Sequence, residues 1–408
     1  MHQVYPRLSV EEAQARILAT VHMLEAEQVP ILEALGRTLA EDIYAERDIP
    51  PLSNTAMDGY AVRAADTAGA AEDRPVRLRV VADLAAGYVA EREVTEGTAI
   101  RIMTGAPIPA GADSIVPFEQ TDSGVEWVAI QAEAAVGDNI RYAGEDVRGG
   151  ELILSRGATI RPQEIGMMAA LGRGTVQAVR RPRVGILATG DEVIPVDAPW
   201  QPGKIRNANT YSNAAQVIKY GGVPVILGIA HDDIDEITGR IRDGLRQGID
   251  LLLTSGGISV GDFDVVKKVL AAEGEIDFWQ VKMRPGKPFA FGQIGGVPLL
   301  GLPGNPVSAM VSFENYARPA ILKMLGRAGL APRLVRATLL DDAQTKAGFR
   351  FFLRVMVEQT PEGYTARLTG EQGSGILLSM VRAQGLASIP EDVADLPAGS
   401  VVDVMLFD

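Results

Sequence analysis

The spacing of hydrophobic positions changes several times along the chain, and each change predicts a different kind of structure. Apolar residues recur every three or four positions over residues 9–24, behind a Ser-x-x-Glu capping pattern, which predicts an amphipathic helix. Residues 49–145 instead show short alternating runs separated by Gly, Pro and Asp. Helical spacing returns over residues 164–171. The pattern therefore predicts a first helix, a mostly β segment and a second helix.

The next part of the chain alternates buried-strand and helix patterns. Continuous apolar runs occupy residues 184–188, 223–227, 250–253 and 297–300. Helices are predicted near 212–220, 234–247 and 264–272. Such alternation predicts a parallel-rich sheet covered on both faces, which binds ligands at the carboxyl ends of its strands. Beyond residue 329 the apolar spacing has period two, which predicts a small separate β domain.

Composition and charge narrow the classes of function. The 408 residues carry a formal net charge of −13, which disfavours nucleic acid or an anionic membrane as the main partner. There is no cysteine and there are three histidines, so any metal chemistry is expected to use oxygen ligands. The N-terminus shows no secretion signal, and no apolar run approaches about 18 residues, so we expect a cytoplasmic protein.

Two glycine-bearing loops follow predicted strands of the α/β region. The segment 254–261 contains Gly256 and Gly257, and its backbone N–H groups could cradle a phosphate; an ordinary turn is the alternative. The segment 301–306 leads into a predicted helix with Pro306 in its first turn. Its prolines shape a pocket or only fix a tight turn.

Charged residues are predicted at the same edge of the sheet. The acidic pairs Asp191-Glu192 and Asp232-Asp233 and the segment 262–264 could bind Mg²⁺ together with phosphate oxygens, although helix capping also explains the last two. Residues 282–288 supply three cations suited to an oxyanion, with solvated surface charge as the alternative. In the inserted β region, polar loops at 53–60, 103–107 and 139–146 carry further candidates or are plain hairpin turns.

Five motifs in this order resemble those of the molybdopterin molybdenumtransferases, the bacterial MoeA proteins, which are similar to the C-terminal domain of gephyrin. The motifs span nearly the whole chain: Asn54-Thr-Ala-Met-Asp-Gly-Tyr-Ala61, Arg101-Ile-Met-Thr-Gly-Ala-Pro107, Ala188-Thr-Gly-Asp-Glu192, Ser255-Gly-Gly-Ile-Ser-Val-Gly261 and Leu302-Pro-Gly-Asn-Pro306. One departure is Arg284, because the family's basic motif commonly begins with lysine.

The resemblance implies a multidomain fold in four parts. These are a helical linker domain (1–48 and 146–180), an inserted β domain (49–145), a molybdopterin-binding α/β domain (181–328) and a C-terminal β barrel (329–408). It further implies a homodimer in which each active site lies between the α/β domain of one subunit and the inserted region of the other.

The resemblance also implies roles for individual residues. Those implied as catalytic are Asp58, Thr104, Arg141, Asp146, Glu192 and Asp264. Those expected to bind substrate, from the motifs and the loops, are Asp232, Ser255, Gly256, Gly257, Ser259, Arg284, Lys287, Pro303, Gly304, Asn305, Pro306 and Ser374. The expected cofactor is Mg²⁺, held by Asp58, Asp146 and Glu192.

The activity implied is insertion of molybdenum from molybdate into adenylylated molybdopterin, with release of AMP. Contact with the enzyme that performs the adenylylation is a further expectation. Two alternatives stay open at the level of sequence: the adenylylation step itself, and a pterin-binding scaffold without catalysis. The acidic and basic loops disfavour the scaffold, and the additional domains disfavour adenylylation.

Overall fold

A computed structural model describes residues 7–256, 268–269, 272 and 274–407. The chain divides into two compact units. We call Met1–Ala40, Thr159–Arg161 and Thr175–Asp408 the main unit, and Glu41–Ala158 and Pro162–Gly174 the inserted unit. The two helices expected for the linker domain both form, one in each unit, and the four-part boundaries stay a prediction.

The helices of the described residues are short. The α-helices are α1 Val10–Thr20, α2 Pro162–Ala170, α3 Ala208–Lys219, α4 Ile234–Arg246, α5 Pro306–Ser312, α6 Arg318–Met324 and α7 Leu377–Arg382. A π-helical turn, Phe313–Ala317, joins α5 to α6, and 3₁₀ turns occupy Ala64–Thr67 and Phe118–Gln120. None of the described helices is both long and apolar enough to cross a membrane.

Within the described ranges, the strands form three larger sheets and four two-stranded ladders. In chain order they are β1 Arg7–Leu8, β2 Ala26–Pro30, β3 Ile43–Tyr44, β4 Asn54–Thr55, β5 Gly59–Val62, β6 Val76–Leu84, β7 Thr98–Ile102, β8 Ser114–Pro117, β9 Trp127–Ile130, β10 Ile140–Arg141, β11 Leu152–Leu154, β12 Thr175–Val179, β13 Arg183–Thr189, β14 Val193–Ile194, β15 Ile205–Arg206, β16 Val223–Ala230, β17 Leu251–Ser255, β18 Gly274–Val281, β19 Met283–Arg284, β20 Pro288–Ile294, β21 Val297–Leu302, β22 Leu334–Leu339, β23 Arg350–Thr360, β24 Gly363–Leu368, β25 Gly385–Ile389 and β26 Val401–Leu406.

The central sheet of the main unit has the order β1-β18-β20-β21-β17-β13-β16. Strands β16, β13, β17 and β21 are mutually parallel, whereas β20 pairs antiparallel with both β21 and β18. The predicted parallel-rich sheet is confirmed, and its four parallel strands are the four continuous apolar runs. Sequence patterning did not predict β1, β18 or β20, which extend the sheet beyond β21.

Helix α1 begins where the capping pattern predicts. The Ser9 hydroxyl accepts a hydrogen bond from the Glu12 N–H (3.1 Å), and the Glu12 carboxylate accepts one from the Ser9 N–H (2.8 Å). Ala13 and Ile17 are fully buried in the main core, together with residues of α5, α6 and the central sheet. The helix ends at Thr20, so Val21 forms its C-cap instead of continuing it.

The C-terminal β domain closes into a barrel. Its ring runs β23-β24-β22-β26-β25, and β25 pairs again with β23. Alternate residues of these strands point inward, so Leu353, Val355 and Val404 fill the barrel interior. Short strand β19, which contains Arg284 of the cationic segment 282–288, pairs with the start of β23. This pairing connects the cationic segment of the α/β part to the barrel. The predicted barrel is confirmed.

The inserted unit is built on a five-stranded sheet of order β8-β5-β7-β6-β9. Tyr60, Leu78 and Val128 are buried on one side of it, and Ile100 and Ile115 are buried in a second cluster. The predicted β character of residues 49–145 is confirmed. This sheet presents the loops before β5 and after β7 as neighbours, because β5 and β7 pair antiparallel.

Candidate functional site

The carboxyl ends of three neighbouring parallel strands meet at one edge of the central sheet. Strand β13 ends at Thr189, β17 at Ser255 and β21 at Leu302. The two predicted loops therefore begin later than the sequence indicated, because Thr254 and Ser255, and likewise Gly301 and Leu302, complete the strands. Parallel strands leave unpaired backbone groups at this edge, where α/β proteins bind ligands.

A cavity of about 320 Å³, here called the strand-end cavity, opens at this edge. It is lined by predicted site residues from three segments: Glu192, Ser255, Gly256, Gly304, Asn305 and Pro306. Gly256 has φ +97°, and a Cβ at this position would lie 2.3 Å from the Thr189 carbonyl oxygen. Only glycine fits, so this part of the cavity wall is bare backbone.

Three carboxylates lie along the same edge. The Asp232 N–H donates to the Asp191 carboxylate (3.2 Å). Desolvation, followed by repulsion from Asp191 and Glu192, raises the pKa of Asp232 above its ordinary value. Asp233 has a different task, because its carboxylate accepts from the Glu236 N–H (2.8 Å) and caps α4. The prediction of helix capping is thus confirmed for Asp233. Asp232 lies instead with Asp191 and Glu192, and we call these three carboxylates the acidic edge.

A second cavity, of about 370 Å³, lies between the α/β part and the barrel within the main unit. We call it the cationic cavity. It is lined by the predicted residues Arg284, Lys287, Pro303, Asn305 and Ser374. Arg284 lies over the ring of Phe349, 4.7 Å from the ring centroid, which orients its guanidinium.

Asn305 lines both cavities. It occupies the N-cap position of α5, yet its side chain makes no capping hydrogen bond. Instead its amide donates to the Ser374 hydroxyl (3.1 Å), and the Val307 N–H donates to the Ser374 carbonyl (3.2 Å). Ser374 is therefore tied to the start of α5, where the two cavities adjoin.

Sequence analysis missed Arg354, which also lines the cationic cavity. Its side chain is 1% exposed, and burial lowers its pKa to about 10. Its guanidinium donates to the Ser379 hydroxyl and to the carbonyls of Gly373 and Phe352. The sequence offered no clear signal, because Arg354 lies between the inward residues Leu353 and Val355, on the face of β23 where alternation predicts an exposed polar residue.

In the inserted unit, Asp58 and Thr104 form the tightest contact among the predicted residues. The Thr104 N–H and hydroxyl both donate to one Asp58 carboxylate oxygen, each at 2.6 Å. These two hydrogen bonds hold the pKa of Asp58 below its ordinary value, and the bond from the Thr104 hydroxyl has the larger effect. Asp58 and Thr104 are both exposed, so the pair faces solvent as an ionised carboxylate with a fixed donor.

The three polar loops of the inserted unit are joined by backbone hydrogen bonds. Thr55 accepts from the Gly105 N–H (2.9 Å), and the Ala56 N–H donates to the carbonyl of Asn139 (2.9 Å). Strand β10 pairs with β4, which places Arg141 opposite Asn54. The structure thus brings Asp58, Thr104 and Arg141 onto one loop cluster. Asp146 is exposed and lies beyond β10, where its N–H donates to the Ile49 carbonyl.

Three predicted residues, Gly257, Ser259 and Asp264, lie outside the described residues, as does most of the helix predicted near 264–272. The other site residues fall into two groups, one in each unit. Within the ranges that the structure describes, no three His, Asp or Glu side chains are grouped so as to hold a metal ion.

Family models cover nearly the whole chain in three consecutive matches. Residues 8–172 match the MoeA N-terminal region (domain I and II). Residues 185–323 match a probable molybdopterin binding domain, and residues 336–407 match the MoeA C-terminal region (domain IV). The cationic and strand-end cavities lie in the part covered by the second and third models, and the Asp58–Thr104 pair lies in the first.

Full-length relatives agree with these matches. The chain is 38% identical to molybdopterin molybdenumtransferase 2 of Mycobacterium tuberculosis over 97% of this chain and 98% of the relative. It is 35% identical to the molybdopterin molybdenumtransferase of Bacillus subtilis over 98% and 94%, respectively. A crystal structure of the molybdopterin biosynthesis MoeA protein of Pyrococcus horikoshii superposes with a TM-score of 0.84, at 32% identity, over 99% of this chain and all of the other. The chain belongs to the MoeA family of molybdopterin molybdenumtransferases.

Proposed function

We propose that this enzyme transfers molybdenum from molybdate to adenylylated molybdopterin and releases AMP. The observation that carries the proposal is the pairing of two adjoining cavities that share Asn305. The cationic cavity suits a small oxyanion. The strand-end cavity, whose wall includes bare backbone at Gly256 and the carboxylate of Glu192, suits a phosphorylated ligand with a bound cation. A reaction between an oxyanion and an activated phosphate needs both ligands side by side.

Molybdate, a tetrahedral dianion, fits the chemistry of the cationic cavity. Arg284, Lys287 and Arg354 supply three positive charges, in a chain whose net charge is −13. Because the Arg354 guanidinium is buried, its attraction for an anion is screened less than that of a surface cation. Arg284 replaces the lysine common in the family and can donate two parallel hydrogen bonds to an oxyanion.

The adenylylated molybdopterin is placed in the strand-end cavity. The bare backbone at Gly256 and Gly304 lets phosphate oxygens approach closely, since no Cβ stands in the way. Asn209 fixes this wall by donating to the Gly304 carbonyl (2.8 Å). An oxygen of molybdate then attacks the pterin-side phosphorus of the pyrophosphate, and the P–O bond to AMP breaks so that AMP leaves. The two dithiolene thiols then bind molybdenum through sulfur: the oxygen that bridges to phosphorus stays on the phosphate as its Mo–O bond breaks, and a second oxygen takes up the two thiol protons and leaves as water.

The acidic edge fits Mg²⁺ in its donor chemistry. Glu192 lines the strand-end cavity, and desolvation together with repulsion from Asp191 and Glu192 raises the pKa of Asp232, so a divalent cation at this edge would offset the repulsion. When bound, Mg²⁺ would neutralise charge on the phosphate oxygens. Asp232 and Glu192 would hold it from this unit, and Asp58 and Asp146 are the further oxygen ligands that the family likeness implies.

We propose further that the enzyme acts as a homodimer, with the inserted unit of one subunit completing the site of the other. The hydrogen bonds from Thr104 lower the pKa of Asp58 and favour its carboxylate form, which can take protons from the dithiolene thiols and pass them to the oxygen that leaves molybdenum as water. Arg141, exposed on the same loop cluster, supplies a donor to the oxyanion.

The test follows AMP after the protein is mixed with adenylylated molybdopterin and Mg²⁺, with and without molybdate. AMP release that depends on molybdate supports insertion. Consumption of ATP with unadenylylated molybdopterin would show the adenylylation step instead, and binding without turnover would show a scaffold. Asp58→Asn is expected to abolish AMP release while the protein stays folded, and full activity in that variant would refute the role of Asp58.

A further inference from the structure

We propose that Ser379 is a positioning residue that orients the Arg354 guanidinium toward an oxyanion in the cationic cavity. Ser379 lies on α7, is 2% exposed and is not part of the cavity lining. It therefore acts through Arg354 and touches no substrate. The inference rests on the proposed function in one respect, since it takes molybdate as the oxyanion.

Arg354 has more N–H donors than its partners in the protein use. A guanidinium has five N–H donors in a fixed planar fork. Three are engaged: Nε with the Ser379 hydroxyl (3.1 Å), Nη2 with the Gly373 carbonyl (3.2 Å) and Nη1, weakly, with the Phe352 carbonyl (3.5 Å). Two of the five are thus left for a ligand, and the bond at Nε sets the plane in which they point.

A second hydrogen bond fixes the direction of the Ser379 hydroxyl proton. Its oxygen lies 2.7 Å from the Ile376 carbonyl, which can only accept, so the single hydroxyl proton points there. The lone pairs of Oγ are then directed at Arg354 Nε. Because α7 is packed into the main core through Met380, this acceptor sits on a rigid element.

The hydrogen-bond partners of the Arg354 guanidinium do not neutralise its charge. Among the residues that the structure describes, no Asp or Glu forms an ion pair with Arg354, and its three partners are neutral oxygens. A neutral acceptor orients the guanidinium without neutralising it, whereas a carboxylate would satisfy the charge. The buried positive charge is therefore kept available to a ligand in the cavity.

Removing the Ser379 hydroxyl changes the orientation of the Arg354 guanidinium and keeps its positive charge. In Ser379→Ala, the Nε–H of a buried cation has no acceptor and the side chain must turn toward another one, which misdirects the free donors. We expect equilibrium binding of molybdate to the full-length protein, measured by calorimetry, to weaken about tenfold. Ser379→Thr keeps the hydroxyl and should bind molybdate as the wild type does.

A matched control is available at Ser114. This serine is fully buried in the inserted unit, and its hydroxyl has no hydrogen-bond partner among the described residues. Ser114→Ala removes the same group from a buried position without touching Arg354. Its affinity for molybdate should equal that of the wild type, and thermal unfolding of each variant verifies that the fold is intact.

A double-mutant cycle shows whether Ser379 acts through Arg354. In an Arg354→Met background, Ser379→Ala should cause no further loss of molybdate binding. In turnover, Ser379→Ala should raise KM for molybdate about tenfold and leave KM for adenylylated molybdopterin unchanged.

Three results would overturn the inference. They are an equal loss of molybdate binding in the wild-type and Arg354→Met backgrounds, an equal rise in both KM values, and no molybdate binding by the wild type. Absence of molybdate-dependent AMP release in the wild type would instead refute the proposed function, because the binding cycle needs no turnover.

Discussion

Asp58 in the inserted unit and Asp232 in the main unit have pKa values shifted in opposite directions. Asp58 has its pKa lowered by hydrogen bonds, whereas Asp232 has its pKa raised by desolvation and by Asp191 and Glu192. Groups whose environments move their pKa values apart are suited to different tasks. The surroundings of Asp58 favour its carboxylate form, whereas those of Asp232 disfavour the carboxylate form until a cation offsets the repulsion.

Thr104→Val tests the first of these environments. The variant removes the hydroxyl donor and keeps the backbone donor, so the pKa of Asp58 should rise toward its ordinary value. A lowered folded-state pKa stabilises the native protein above the unfolded pKa, and this contribution is lost as pH falls. Thr104→Val should therefore move acid unfolding of the inserted unit to higher pH. Titration of the Asp58 carboxyl carbon by NMR measures the shift, and an unchanged pKa would contradict the assigned cause.

Asp232→Asn tests the second environment. For a carboxyl whose folded pKa is raised, stability falls as pH rises from the ordinary pKa to the raised one. The neutral amide escapes the repulsion from Asp191 and Glu192, so at pH 7 the variant should melt at a higher temperature than the wild type, and the gain should vanish below the ordinary pKa of an aspartate. If Asp232 helps to hold Mg²⁺, the same variant should need more Mg²⁺ for half-maximal AMP release. A lower melting temperature at pH 7 would contradict the argument.

At the scale of elements, the central strands and the first helix were predictable because their signals are local. Strands β13, β16, β17 and β21 are continuous apolar runs, and a capping box marks the start of α1. Strands β18 and β20 were missed because Pro288 and Gly292 read as turn residues, and because pairing at the sheet edge joins residues distant in sequence. Arg354 was missed for a related reason: alternation places it on the face of β23 opposite Leu353 and Val355, and the sequence does not show that Ser379 of α7 meets it there.

Gly256→Ala tests how the strand ends form the cavity wall. The new Cβ would lie 2.3 Å from the Thr189 carbonyl oxygen, and φ is +97°, so β13 and β17 must separate or the turn must distort. We expect a loss of about 2 kcal/mol in the free energy of unfolding. Gly304→Ala is the matched control for stability, since a Cβ there would meet only Gly256 Cα at 3.7 Å. Equal unfolding midpoints for the two variants in urea would show that the close approach at Gly256 is not required.

At the scale of the whole molecule, the predicted site residues are divided between two compact units. Asp58, Thr104, Arg141 and Asp146 belong to the inserted unit, and the remaining described site residues belong to the main unit. Each group is organised by itself: the first by the Asp58–Thr104 contact, the second by the two adjoining cavities. The proposed reaction needs both groups at one oxyanion, and the homodimer is proposed to bring them together.

Complementation between two inactive variants tests that arrangement. Asp58→Asn disables the inserted unit, and Lys287→Ala disables the cationic cavity. In a mixed dimer whose sites combine units from different subunits, one site carries both substitutions and the other carries none. Random association of the two variants should therefore restore about one quarter of the wild-type sites. Sites formed within one subunit would each carry a substitution, so co-expressed variants that release no more AMP than either variant alone would exclude the shared site.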